Sequence, residues 1–167
     1  MAKTSQVPTK GKEVQLVIFR LQEEEYGAEI TSVLEISRML EITHLPQAPD
    51  FIKGVINLRG QVIPVVDLGW QFGHKSLAEL PKTARIVVVE VEGETLGLLV
   101  DEVPEVLRVP ETEIEPPPEL FQSEVKRDYV KGVAKLGERL VIVLDLEKVL
   151  LPRELEAATK LQTKEEK

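Results

Sequence analysis

The chain says the same thing twice. Residues 51–68 read FIKGVINLRGQVIPVVDL and residues 129–146 read YVKGVAKLGERLVIVLDL. At an offset of 78 they align without gaps and agree at seven of 18 positions: Lys53/Lys131, Gly54/Gly132, Val55/Val133, Leu58/Leu136, Val65/Val143, Asp67/Asp145 and Leu68/Leu146. Average composition would give about one identity over that length. The stretches before each copy correspond as well. Residues 14–46 match 84–116 at an offset of 70, with eight identities in 33 positions, among them Val17/Val87, Gly27/Gly97, Val33/Val103, Glu35/Glu105, Arg38/Arg108 and Pro46/Pro116. The larger second offset places an insertion, read as a loop, between Pro116 and Tyr129. A duplicated module must satisfy one set of folding rules in two sequences, and that restricts the fold more than any composition figure.

The module is written for strands. Val and Ile number 22 and 10 against eight Ala, and β-branched side chains suit a pleated, half-buried surface better than a helix. In the first copy the strands fall at roughly 14–21, 25–30, 34–42, 51–58 and 61–67. Polar breaks at 21–26 and 91–95 suit hairpins, and the turns at 57–60 and 135–138 each hold a Gly able to take positive φ. Ile30, Val33 and Leu34 have the spacing of a helical turn. Pro64 lacks a ladder donor, which predicts an edge strand or a bulge. A unit of about 60 residues hides its sheet edges best by closing as a small barrel. Because such units are marginal alone, the two must share a buried interface. This reading puts the first barrel mainly at 14–68 and the second mainly at 84–146, within an ordered body over 13–151. Residues 1–12 read as disordered, and 152–167 as a short C-terminal helix with a frayed end.

Searching for chemistry returns little. The chain has no Cys and only two His, His44 and His74, which removes disulfides, thiol chemistry and cysteine-based metal sites and predicts no metal centre and no cofactor. Residues 1–13 carry net +2 and 152–167 net zero, which leaves -10 for the body. Such a body repels a phosphate backbone, so nucleic acid is not an expected partner. There is no apolar run of the length needed to cross a bilayer and no secretory leader at the N-terminus, so a cytoplasmic protein without membrane insertion is expected. Asp67 and Asp145 occupy equivalent positions, as a carboxylate dyad would, yet each reads better as the cap of a turn at a strand end. Asp101-Glu102 and Glu111-Thr-Glu113 read as solvated faces. An oligosaccharide- or single-strand-binding barrel is the rival class, weakened by the scarcity of aromatics for stacking.

The phrases FIKGVINLRGQVIPVVDL, VVVEVEGETLGLLVDEVPEVLRV and YVKGVAKLGERLVIVLDLEKVL, in that order over about 14–151, resemble the CheW family of bacterial chemotaxis coupling proteins. The resemblance implies an all-β fold of two intertwined five-stranded SH3-like barrels, with short helical turns. It also implies a non-catalytic adaptor between the cytoplasmic tip of methyl-accepting chemoreceptors and the regulatory domain of the CheA histidine kinase. Through the receptors such an adaptor is recruited to the inner face of the membrane. Carried over residue by residue, the receptor-facing set is Val33, Glu35 and Arg59. Lys53, Gly54, Arg85, Glu105 and Val106 are further contacts to kinase or receptor. The repeat adds weight to Arg59, because its counterpart is Gly137 and the fold itself does not demand Arg there. Glu35 has Glu105 as counterpart, so a structural role in both halves competes. Val33 and Gly54 lean towards core packing and a required turn. After Val-Val-Asp-Leu the family commonly has a basic residue, whereas here stand Gly69 and Trp70. Trp70 reads as a plug between the barrels, with an exposed anchor as the alternative.

Overall fold

In the computed structural model the described residues are 12–72, 80–117 and 129–149. The first half supplies β1 (Glu13–Leu21), β2 (Glu24–Glu29), β3 (Val33–Arg38), β4 (Ile52–Leu58) and β5 (Gln61–Asp67), followed by the one-turn helix α1 (Leu68–Gln71). The second half supplies β6 (Arg85–Val91), β7 (Glu94–Val100), β8 (Glu102–Pro110), β9 (Ile114–Glu115), β10 (Val130–Leu136), β11 (Arg139–Leu144) and α2 (Leu146–Val149). The helical turn expected near residue 30 is the 3-10 turn Ile30–Ser32. The expected C-terminal helix and all but the last residue of the expected N-terminal disorder lie outside the described residues.

Two sheets form, ordered β9-β10-β11-β2-β1-β8 and β3-β6-β7-β5-β4. Each mixes the halves. The last strand of one repeat runs parallel to the second strand of the other: β11 beside β2 and β5 beside β7. The third strand of each repeat pairs with the first strand of the other, β3 with β6 and β8 with β1. The expected partition into a barrel at 14–68 and another at 84–146 is therefore corrected. Each barrel takes its first two strands from one repeat and the remaining three from the other. The barrels are intertwined, as the resemblance implied, and neither half holds a complete one.

Both barrels close at the same point. After β3 the chain returns to β4, where Thr43 and Val55 exchange backbone hydrogen bonds of 2.8 and 2.9 Å. After β8 a 3-10 turn over Glu111–Glu113 leads into β9, where Glu115 faces Val133 on β10. Thr43 and Glu115 are thus equivalent at an offset of 72, so the gapless match that paired Pro46 with Pro116 slips by two residues after β8. The closing strand passes so near that only Gly fits opposite it. A Cβ on Gly54 would lie 2.3 Å from the Thr43 carbonyl oxygen, and one on Gly132 would lie 2.9 Å from that of Glu115. The glycine repeated at 54/132 serves strand closure, not the turn that the sequence suggested.

Strand alternation then sorts the apolar residues into three clusters. On β1, Leu16 and Ile18 point into their own barrel while Phe19 and Leu21 point to the join between barrels. On β6, Ile86 and Val88 fill the other barrel while Val87, Val89 and Val91 face the same join. Strands buried on both faces read as continuous apolar runs, which is why 16–19 and 86–89 show no alternation in sequence. Five of the seven aromatics enter the shared cluster. Phe19, Tyr26, Phe72 and Tyr129 form a chain of ring contacts with centroids 5.4–6.2 Å apart. The aromatic that plugs the join is Phe72; Trp70 is 41% exposed.

Pro64 sits on an interior strand and not at an edge, next to the bulge where Ile52 and Gly54 face Val66 and Val65. Its partner across the antiparallel ladder is Val55, whose own N–H and C=O are both committed to Thr43. The Val55–Pro64 pair is consequently a non-hydrogen-bonded one. On the other side of β5 the parallel ladder to β7 begins at Val65, one residue later than the equivalent ladder of β11, which begins at Ile142, so the missing N–H falls at the very start of that ladder. Substituting Gly54→Ala or Gly132→Ala forces backbone apart at the closure and is expected to cost about 1–3 kcal/mol and to lower Tm by roughly 4–10 °C. Thermal melts followed by circular dichroism measure this, and an unchanged Tm for both variants would contradict the closure argument.

Candidate functional site

Glu35 stands on β3, a strand that wears its apolar side outward. Leu34, Ile36 and Arg38 are exposed, while Val33 packs against the shared core, Ser37 is buried and Glu35 is half-buried. Leu34 is 55% and Ile36 38% exposed. Large apolar side chains grouped on the surface are the informative kind of exposure. Strand alternation gives this orientation along the whole of β3, and a bulge lies between Val33 and Glu35.

Arg59 comes from the β4–β5 hairpin. Leu58 pairs with Gln61, which leaves Arg59 and Gly60 as a two-residue turn with φ of 51° and 87°. Turns with two consecutive positive φ values favour Asn-Gly or Gly-Gly, because a Cβ is disfavoured in left-handed backbone. The second hairpin follows that preference, with Gly137 at φ 66°. Arg59 does not, and its guanidinium reaches across to grip Glu35 with two nitrogens, Nη1 on Oε2 at 3.3 Å and Nη2 on Oε1. Hydrogen bonding to Arg59 holds the Glu35 carboxyl below the usual carboxylate range and raises Arg59 in turn. The Arg59 side chain is 70% exposed, and solvent screening leaves such a pair little weight in folding. Left-handed backbone also occurs at Gln22 and Glu92, the other non-Gly residues with positive φ among the described residues.

The other barrel carries a related arrangement. Glu105 on β8 accepts from Arg139 Nη2 at 2.7 Å, and the same nitrogen reaches Glu25 at 3.0 Å. Arg20 adds Glu102 at 2.8 Å and Glu25 at 3.4 Å. Val106 and Leu140, 43% and 62% exposed, are outward-facing residues of β8 and β11. Arg139 corresponds to Gln61, not to Arg59, so the repeat alignment did not flag it. Leu34 and Ile36 were missed because an apolar pair in a strand reads inward by default.

The remaining sequence candidates spread over both sheets. Val33, Glu35 and Arg59 lie in one barrel with Lys53, which is half-buried on β4, and Gly54, which is buried at the closure. Arg85 faces Arg38 across the β3–β6 ladder, with its guanidinium on the Ala84 carbonyl at 2.8 Å. Glu105 and Val106 belong to the other barrel. Asp67 caps α1 by accepting from the Trp70 N–H at 3.1 Å, and the Asp145 carbonyl accepts from Val149 N–H at 2.9 Å to begin α2. Asp101 and Glu102 are not idle acids: Asp101 Oδ2 accepts from the Gln22 N–H at 2.7 Å, and Glu102 holds Arg20. His44 is exposed, and His74 lies outside the described residues. No helix among the described residues is long and apolar enough to cross a membrane.

The CheW-like domain family matches residues 15–153. A chemotaxis protein CheW from Klebsiella aerogenes is 37% identical over 147 residues, covering 88% of this chain and 86% of its own. One from Treponema pallidum is 32% identical over 154 residues, covering 90% and 89%. The crystal structure of the scaffolding protein TtCheW from Thermoanaerobacter tengcongensis superposes with a TM-score of 0.77 at 36% identity, covering 89% of this chain and 95% of that one. The chain belongs to the CheW family. As a CheW-family scaffold of chemotaxis signalling it is a non-catalytic adaptor, and the reading of Asp67 and Asp145 as a carboxylate dyad falls.

In this CheW-family chain, the lowered Glu35 carboxyl means that any stabilisation from its pair is complete above the unfolded-state carboxyl value and fades as pH falls through the lower folded value. The pair is therefore constant across neutral pH and opens only in acid. Arg59→Gly is expected to return the Glu35 carboxyl to its ordinary range in an NMR titration. The same variant relieves the left-handed backbone, so Tm is expected to hold or rise by about 2–4 °C. A substantial fall in Tm would show that the pair supports the fold instead.

Proposed function

We propose that this chain couples chemoreceptors to the CheA histidine kinase. The observation that carries the reading is the exposed Glu35–Arg59 pair, held by a left-handed Arg and neighboured on β3 by exposed Leu34 and Ile36. A surface with a bidentate charged centre and outward aliphatic side chains fits an amphipathic helical partner, here the helical hairpin at the cytoplasmic tip of a methyl-accepting receptor. Val33 supports this surface from beneath, through its packing on the core. The kinase regulatory domain takes the strand edges and turns elsewhere, with Lys53, Arg85, Glu105 and Val106 as contacts and Gly54 acting through the backbone closure it permits. No cofactor enters. The adaptor works in the cytoplasm at the inner face of the membrane, reached through the receptors. It passes receptor state to the kinase by binding one kinase conformation better than another, since only differential contacts shift such an equilibrium.

Co-sedimentation with a receptor-tip fragment and the kinase tests the reading. Arg59→Ala and Glu35→Lys are each expected to weaken receptor binding about tenfold, the size of a central polar contact. Assembly at parental levels with both variants would sink the site assignment.

A further inference from the structure

The two hairpins that join the fourth and fifth strands both close on two-residue turns, yet Arg59 and Gly60 are both left-handed, whereas of Gly137 and Glu138 only Gly137 is. In the second hairpin the left-handed position is Gly137, and the residue two before it is Lys135, which has no acceptor to offer and pairs with Glu115 at 2.8 Å. In the first hairpin the left-handed position is Arg59, and the residue two before it is Asn57, whose Oδ1 accepts from the Gly60 N–H at 2.8 Å. The β6–β7 turn takes the same backbone at Glu92 and Gly93, φ 52° and 84°, so the tie from Asn57 is an addition to such a turn and fixes the position of the residue it carries. Asn side chains that bond backbone two or three residues ahead stabilise turns of this kind. The turn is exposed and its strands are already paired through Leu58 and Gln61, so the fold has no evident need of the extra bond.

We infer that Asn57 is a positioning residue for Arg59: its tie to Gly60 locks the left-handed turn from which the guanidinium reaches both carboxylate oxygens of Glu35. Without the tie, Arg59 relaxes towards right-handed backbone, its guanidinium swings off β3, and Glu35 stands alone between Leu34 and Ile36. Partner recognition then loses a prearranged bidentate centre and must order it on binding, which lowers affinity without removing any residue that touches the partner. The effect on the partner rests on the receptor-binding reading of Glu35 and Arg59; the effect on the pair itself does not.

The test uses the full chain in four variants, Asn57→Ala, Asn57→Lys, Asn57→Asp and Arg59→Ala, with two readouts. Asn57→Lys removes the acceptor at an exposed position of a hairpin whose strands stay paired through Leu58 and Gln61, so a folded variant is expected. The first readout is the Glu35 carboxyl titration by NMR. It is expected to move up in Asn57→Ala and Asn57→Lys towards its value in Arg59→Ala. The second is affinity for a soluble receptor-tip fragment. It is expected to fall about three- to tenfold in the same two variants, the scale of one hydrogen bond, and to recover in Asn57→Asp, which keeps the acceptor oxygen. A Glu35 titration that stays parental in Asn57→Ala and Asn57→Lys overturns the inference, whatever the affinity does. If Arg59→Ala binds the fragment as the parent does, the receptor-binding reading fails, and the titration alone then decides the role of Asn57.

Discussion

Parallel pairing between strands from opposite repeats, β11 on β2 and β5 on β7, is the constraint from which the rest of this structure follows. An antiparallel pair can be closed by a two-residue turn within one repeat, but a parallel pair needs a long crossover. Here the crossover between β5 and β7 runs over residues 68–93 and carries β6, and that between β2 and β11 runs over 30–138 and carries the strands between them. Neither barrel has its fifth strand until both copies are present, so the two are one cooperative unit. The exchange also explains why the first strand of each repeat is apolar on both faces. One face lines a barrel and the other seals the join, where five aromatic side chains gather. With so much apolar material committed inward, little is left for the outside. Of the exposed large apolar side chains, Leu34, Ile36 and Val106 stand on the third strands, β3 and β8, which occupy the ends of their sheets, while Trp70 and Leu140 lie on α1 and β11.

The placement on the third strands follows from how the barrels close. The third strand leaves its ladder and returns to the fourth by a short backbone contact, Thr43 to Val55 in one barrel and Glu115 to Val133 in the other. Backbone closes the sheet, so the outward side chains of the third strand need not pack against anything. Leu34, Ile36 and Val106 stay in solvent for that reason. Gly54 and Gly132 make the close approach possible, and they thereby shape the candidate surface although neither presents a side chain to it.

The strands were legible because local pattern specifies them: the five expected in the first half lie within a few residues of β1 to β5, apart from the third, which ends at Arg38 where 42 was expected. Their partners were not legible. An apolar run at 16–19 records that both of its faces are buried but not which repeat buries them, so the boundaries at 14–68 and 84–146 followed chain order where the fold follows exchange. The edge reading of Pro64 misled for a related reason. Its donor is lost at the start of the parallel ladder to β7 and opposite a residue already bonded to Thr43, facts of register that one strand's sequence does not contain. Arg59 was half-legible: comparison with Gly137 marked it as unneeded by the fold, while its left-handed backbone and its grip on Glu35 required coordinates. Arg139 was hidden because it serves Glu105 from a position that the first copy fills with Gln61.

The repeat also shows why two similar Glu–Arg arrangements need not do the same work. Arg139 divides its guanidinium between Glu105 and Glu25, and Glu25 is shared again with Arg20, which holds Glu102. A carboxylate arriving from outside would have to displace one of several mutually supporting partners, and networks of this kind lose more than one contact when one is taken. Arg59 holds Glu35 in a single bidentate grip at the surface. Exchanging or sharing that one partner disturbs nothing else in the fold. On the proposed reading, duplication supplied two copies of an acidic third strand beside a hairpin. One copy became a braced network that stiffens its barrel, and the other kept a single exposed pair free to negotiate with a partner.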